Sequence, residues 1–279
     1  MKENKNVSLI NNDFSGISDV ANNLINKLSD CVGWCANRET PKKIAISTYI
    51  ADIQKSNRNP LVKAALISNA KKILKEYCNQ YDIINIAINS LKEDSTPESI
   101  DEDWISIFMD RARLVSSEEF KLIWGRLLAV ECEDNGSIPK GLLHILSQME
   151  RQDAQMFTAV CAVLVRINDE YSPVIDIRQF SHYKKYGLDF DKLVNLRALG
   201  LIEMDFTRIN AYQIESNEVP IKVHYYNWEY ELPKSKEEVN IGNVVFTKSG
   251  QALCKAIVTA ESEGFWKEYC FPYLLANNH

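Results

Sequence analysis

The chain has 279 residues, 46% of them hydrophobic, with 32 basic and 38 acidic side chains and a net charge of −6. That is enough apolar material for a sizeable core without covalent staples, while the acidic balance counts against a protein that grips a nucleic-acid backbone by bulk charge. Seven cysteines, an odd number without repeated spacing, fit reduced buried thiols better than a disulfide framework.

Residues 1–13 are polar and asparagine-rich, with neither the apolar run nor the cleavage site of a secretory leader, and are expected to fray. The longest apolar run, FTAVCAVLVRI from Phe157 to Ile167, is far short of the roughly 20 residues that span a bilayer as helix. A cytoplasmic protein is therefore expected. Ile17, Val20, Ala21, Leu24 and Leu28 recur at helical spacing and Gly33 supplies a stop. Thr40 and Pro41 form a cap and first-turn pair for a second helix through Ile46, Tyr49, Ile50 and Ile53, which Asn57 to Pro60 breaks. A third helix is predicted over 61–77, with Val62, Leu66, Ile73 and Tyr77 inward, and a fourth over 81–91. Lys63, Lys71, Lys72 and Lys75 on the third read as a solvated face. The stretch 93–98, with Thr96 and Pro97, reads as a linker.

Asp101, Glu102 and Asp103 place negative charge at the start of the next helix, where its dipole favours it. Ser116 or Ser117 with Glu119 predicts a capping box, followed by an apolar stripe of Phe120, Ile123, Trp124, Leu127 and Leu128, with Lys121, Arg126 and Glu131 elsewhere. Asp134, Asn135 and Gly136 form a turn, and Ser137 is expected to cap a short helix. From Asp153 an apolar helix is predicted through Phe157, Cys161 and Leu164. The periodicity then changes: a strand over 174–177, a helix over 190–199, Gly200 as its C-terminal glycine, a strand over 201–206, and further strand material over 219–226 and 239–247. Helix, glycine, strand and hairpin in that order suggest a winged helix. The expected fold is mainly α, an N-terminal and central helical bundle followed by an α+β winged-helix-like C-terminal part. Its regions are 1–93, 98–170 and 171–279.

Candidate sites are few. Cys31 and Cys35 would share a helix face, but two thiolates make no zinc centre, and Cys78, Cys132 and the histidines, His144, His182 and His224 among them, show no ligand spacing. Glu131, Glu133 and Asp134 form an acidic cluster for which a solvated helix end is the plainer account, a hydrolase or nuclease the weaker one. There is no glycine-rich phosphate loop. No catalytic residue, metal site or cofactor is assigned. The helix over 190–199 carries Asp189, Asp191, Lys192, Asn195 and Arg197, without the basic surplus that groove entry favours. Tyr225, Tyr226, Trp228 and Tyr230 read as strand filling rather than a stacking platform.

The segments LSDCVGWCANRETPKKIA, LIWGRLLAVE, GSIPKGLLHILSQM, LRALGLIE and VVFTKSGQALCKAI together resemble an uncharacterised bacterial family related to the abortive-infection alpha family. Asn135 stands where that family's proline is expected. The resemblance implies a helical bacterial protein linked to phage defence, with no catalytic residues to carry over. The expected function is a non-enzymatic interaction protein, a sensor or adaptor that forms homo-oligomers, with a partner surface at Phe265, Trp266 and Tyr269. The alternative is a winged-helix regulator that contacts DNA through Lys184, Lys185, Lys192 and Arg197.

Overall fold

The computed structural model describes residues 18–36, 43–167, 170–207, 212–215, 220–232 and 238–278. The expected Thr40–Pro41 cap, the frayed start and residue 219 lie outside them. The chain divides into two units, residues 1–143 and 144–279.

In the first unit, α1 (Asp19–Val32) starts where Ser18 Oγ accepts from Ala21 N–H and stops at Gly33, whose φ of 67° costs no Cβ clash. Helix α2 (Lys43–Lys55) is followed by α3 (Pro60–Ile88), one 29-residue helix where two were expected. The polar Asn79 and Gln80 between the two expected halves do not break it. Their side chains donate to the carbonyls of Arg113, at 2.9 Å, and Met109, at 3.0 Å. Next come α4 (Glu102–Ala112), with Asp101 accepting from Trp104 N–H at 2.8 Å, and α5 (Glu118–Glu133). Ser117 precedes α5 but its side chain caps nothing, so the expected capping box does not form. The stripe of Ile123, Trp124, Leu127 and Leu128 is buried, and α3 is the main partner of α5. The crossing is close because of Gly125: a Cβ there would lie 2.5 Å from Ile86 Cγ2 and 2.8 Å from the Ile83 carbonyl oxygen. Within this unit α5 packs on α3, and α4 packs chiefly on α1. Trp104 stacks on Phe108 at 5.0 Å, and Phe108 meets Trp124 at a tilt of 57° and 5.2 Å. Lys121 and Glu131, expected off the apolar stripe, are both buried.

Helix α6 (Lys140–Gln148) starts three residues after Ser137, which therefore does not cap it. In the second unit, α7 (Arg151–Cys161) begins with a capping box of Glu150 and Asp153. It ends before Leu164, which opens β1 (Leu164–Ile167) instead of extending the helix: the apolar run is uniform in hydrophobicity but not in partners. Strand β1 pairs antiparallel with β2 (Glu170–Pro173) and β5 (Lys222–Tyr225), and β6 (Trp228–Glu231) completes a four-stranded sheet in the order β2-β1-β5-β6. The strand expected over 174–177 is a single bridge between Ile175 and Gly242; Ile177 already opens a 3-10 segment, Ile177–Tyr186. Helix α8 (Phe190–Ala198) packs on α7, and Gly200, at φ 77°, turns the chain into β3 (Ile202–Met204). Strand β4 (Tyr212–Glu215) pairs with β7 (Glu238–Gly242), and β8 (Val244–Phe246) returns to β3. Helix α9 (Lys248–Ala256) is capped by Thr247, which accepts from Gly250 N–H at 3.1 Å. Helix, β3–β8 pair and flanking helices give the winged-helix-like arrangement, preceded by a mainly helical bundle.

The aromatic C-terminal segment is core. Phe265 is fully buried, and Trp266 and Tyr269 nearly so. Phe265 precedes, and Trp266 and Tyr269 sit on, a π-helical turn, Trp266–Cys270, ahead of α10 (Phe271–Asn277). Tyr225 meets Phe265 at 5.5 Å and stacks on Trp266 at 5.8 Å. The partner surface expected at these three rings is thereby corrected: large aromatic area is worth most when removed from water, and this unit removes it internally.

Candidate functional site

The acidic cluster at the end of α5 dissolves into structural roles. The Glu131 carboxylate is buried and accepts from Gly136 N–H at 2.7 Å and Ile138 N–H at 2.9 Å, clamping the turn that follows. Burial pushes its carboxyl above the ordinary value, against the two N–H donors that favour the charge. Glu133 pairs with Lys92 at 2.5 Å, and Asp134 caps the helix. Among the described residues no group of three or more His, Cys, Asp or Glu side chains is placed to hold a metal ion. Cys31 lies within α1 and Cys35 beyond Gly33, so the two do not share the helix face expected of them.

Lys184 and Lys185 in the 3-10 segment, and Lys192 and Arg197 on α8, are all exposed. Two of the four have partners in the chain: Lys185 pairs with Glu268, and Arg197 lies over the Phe206 ring at 5.6 Å. Asp189 caps α8 and Asp191 is exposed beside Lys192, so the surface mixes charge. Of the aromatics weighed as a platform, Tyr225 is fully buried, while Trp228 donates to Glu261 at 2.8 Å with Lys267 over its ring at 4.7 Å.

Among the described residues, α3 carries three large exposed hydrophobic side chains, Leu61, Val62 and Ile73. Asn59 accepts from Leu61 N–H at 2.8 Å and Pro60 takes the first turn, a strong helix start that projects Leu61 and Val62 at the tip of an α2–α3 hairpin. Lys63 Nζ donates to the Gln54 carbonyl at 2.7 Å, and Ile53 is buried, tying α2 to this arm. At 3.6 residues per turn Val62, Leu66, Asn69 and Ile73 share a stripe. That stripe does not face a core: Val62 is 47% exposed and Ile73 57%, Leu66 is half-buried, and neighbouring Leu61 is 78% exposed. Val62 and Ile73 were expected inward; periodicity reports a stripe, not what covers it. Further along α3 the stripe enters a cleft of about 580 Å³ with Tyr77, Trp34, Met109 and Arg113 among its walls. Trp34 stacks on Tyr77 at 6.0 Å, Tyr77 Oη donates to the Cys35 carbonyl at 2.8 Å, and Arg113 binds Glu76 at 2.9 Å and Asp110 at 3.0 Å. The charges of the cleft are thus paired with each other, which suits a contact surface better than a reacting centre.

The family described as "Protein of unknown function (DUF2806)" matches residues 69–270, well over half of the chain. The chain belongs to that family. No curated protein and no solved structure matches it. In this DUF2806 protein the matched region starts inside α3, so α2 and the tip of the arm precede it. Much of what stands out within that region is packing: Gly125 at the α3 crossing, Glu131 on its turn, Trp104 Nε1 donating to the Ile138 carbonyl at 2.9 Å, and Gly250, where a Cβ would lie 2.0 Å from the Leu201 carbonyl oxygen. Among the described residues no helix is long and apolar enough to cross a membrane.

Proposed function

We propose that this DUF2806 protein is a non-enzymatic interaction protein, an adaptor or sensor in bacterial antiphage defence. The observation that carries the reading is the arm of α3, with Leu61, Val62 and Ile73 left in water. Covering an aliphatic side chain of this size contributes roughly 1.5–3 kcal/mol, so such a face is a standing gain for a partner that matches it. The buried charges support the same reading, since Glu131 and Lys121 are held by hydrogen bonds and ion pairs within the fold. The defence role rests on the motif resemblance to abortive-infection alpha relatives. A host carrying the wild-type chain, challenged with a panel of phages, should form fewer plaques than one carrying Val62→Asp with Ile73→Asp. Equal plaque counts with and without the wild-type chain across the panel would remove the defence role.

A second reading, DNA binding by the winged-helix-like part, is favoured by the exposure of Lys184, Lys185, Lys192 and Arg197 on neighbouring segments. Duplex affinity would then fall steeply with salt, and Lys192→Ala would reduce that slope by about one. No gel shift at low salt would sink it.

A further inference from the structure

We infer that the arm of α3 is an antiparallel pairing surface for a second copy of this chain. The inference rests on the reading of the arm as an interaction surface and names its occupant. Val62, Leu66, Asn69, Ile73, Glu76 and Gln80 follow one another at alternating steps of four and three, the spacing of a coiled-coil seam. Of its apolar positions Val62 and Ile73 are exposed and Leu66 is half-buried, and α2 packs on α3 without covering Val62 or Ile73.

Charge decides the occupant and its direction. Between Tyr49 and Lys75 the arm carries six basic side chains and one acidic; between Glu93 and Asp134 the body of the same unit carries twelve acidic and four basic. A chain that is basic at one end and acidic at the other complements its own reverse. An antiparallel pair sends each arm tip, with Lys55 and Arg58, toward the partner's acidic body, whereas a parallel pair sets basic tip on basic tip. In the antiparallel register the end layers match Val62 with Ile73 and Ile73 with Val62, and the central layers match Leu66 with Asn69. The flanking Lys63 and Lys72 then face Ala70 and Ala65, so no lysine opposes another and two small residues let the backbones approach. Asn69 is the one polar side chain in these layers, a device that sets register at a cost in stability. Such a contact is isologous, closing at two copies.

The test is sedimentation equilibrium of the full chain over a concentration series. Wild type should show a reversible monomer–dimer equilibrium. Ile73→Asp should remain monomeric throughout, and Asn69→Leu should tighten the dimer at least about tenfold, as replacement of a buried polar layer by an apolar one implies. Both sites are exposed in the single chain, so melting curves at dilution should stay close to wild type. Direction is read by a short bismaleimide in a background with Cys31, Cys35 and Cys78 replaced by serine: Val62→Cys chains mixed with Ile73→Cys chains should cross-link above that background, and Val62→Cys alone should not. A wild-type protein that is monomeric at every concentration, a dimer indifferent to Ile73→Asp, or Val62→Cys self-cross-linking would each overturn the inference. If the wild type is monomeric yet phage resistance is lost with the arm variant, the interaction reading stands and self-pairing falls. Flotation of such a monomer with phosphatidylserine vesicles would assign the face to a lipid surface instead.

Discussion

At Gly125 the added methyl of Gly125→Ala would meet both a side chain and a backbone oxygen of α3, and backbone cannot rotate away. Overpacking of this kind costs about 1–3 kcal/mol, against a gain of up to about 1 kcal/mol from helix propensity. The variant should therefore unfold at lower urea concentration than wild type; an unchanged or raised midpoint would show that α3 can move. Lys121 offers a pH test. Burial works against its charge, but hydrogen bonds to Asp82 at 2.6 Å and Glu118 at 2.8 Å outweigh it and hold the ammonium above its ordinary value. The folded pKa is raised, so the contribution to stability is complete below about pH 10.4 and is lost as pH rises through the folded value. The stability gap between wild type and Lys121→Met should be constant near neutrality and shrink at alkaline pH above the lysine's ordinary value; a gap that persists would mean that the side chain acts by packing alone.

Within one element, α3, two environments meet. Asn79, Ile83, Ile84 and Ala87 are buried, while none of the residues from Pro60 to Cys78 is. Amide exchange should accordingly be slow over 79–88 and fast over 60–75 in dilute protein, because local opening costs least where few contacts are lost. Rising protein concentration should slow exchange in the exposed half alone. Equal protection along the whole helix at high dilution would contradict this picture. The same helix shows the reach of sequence reading. Its start near Leu61, after the break at Asn57 to Pro60, and its apolar spacing were legible, because breakers and periodicity are local. Its unbroken length was not, since the polar Asn79 and Gln80 find partners on α4 and the following turn, far away in sequence.

Across the molecule all seven cysteines are free, and their surroundings differ sharply. Cys132, Cys161 and Cys270 are buried, and burial pushes all three thiols well above the ordinary range, whereas Cys35 is exposed. Thiolate, not thiol, reacts, so a disulfide reagent should label Cys35 quickly in the native protein and reach those three only on unfolding. Rapid native labelling of Cys270 would mean that the aromatic core around Phe265 opens. Sequence alone determined the mainly helical first part, the winged-helix-like second part, the stop at Gly33, the acidic helix start at 101–103, and the Gly200 turn, because each depends on propensity and spacing within a few residues. Tertiary structure decided the rest. It set α5 against α3 through the Gly125 crossing, turned Leu164 from helix to strand, buried Phe265, Trp266 and Tyr269, and left Val62 and Ile73 in water. An apolar side chain carries no record of its partner; hydrophobicity is non-directional, and only the packed fold settles which stripe meets a core and which is left for another molecule.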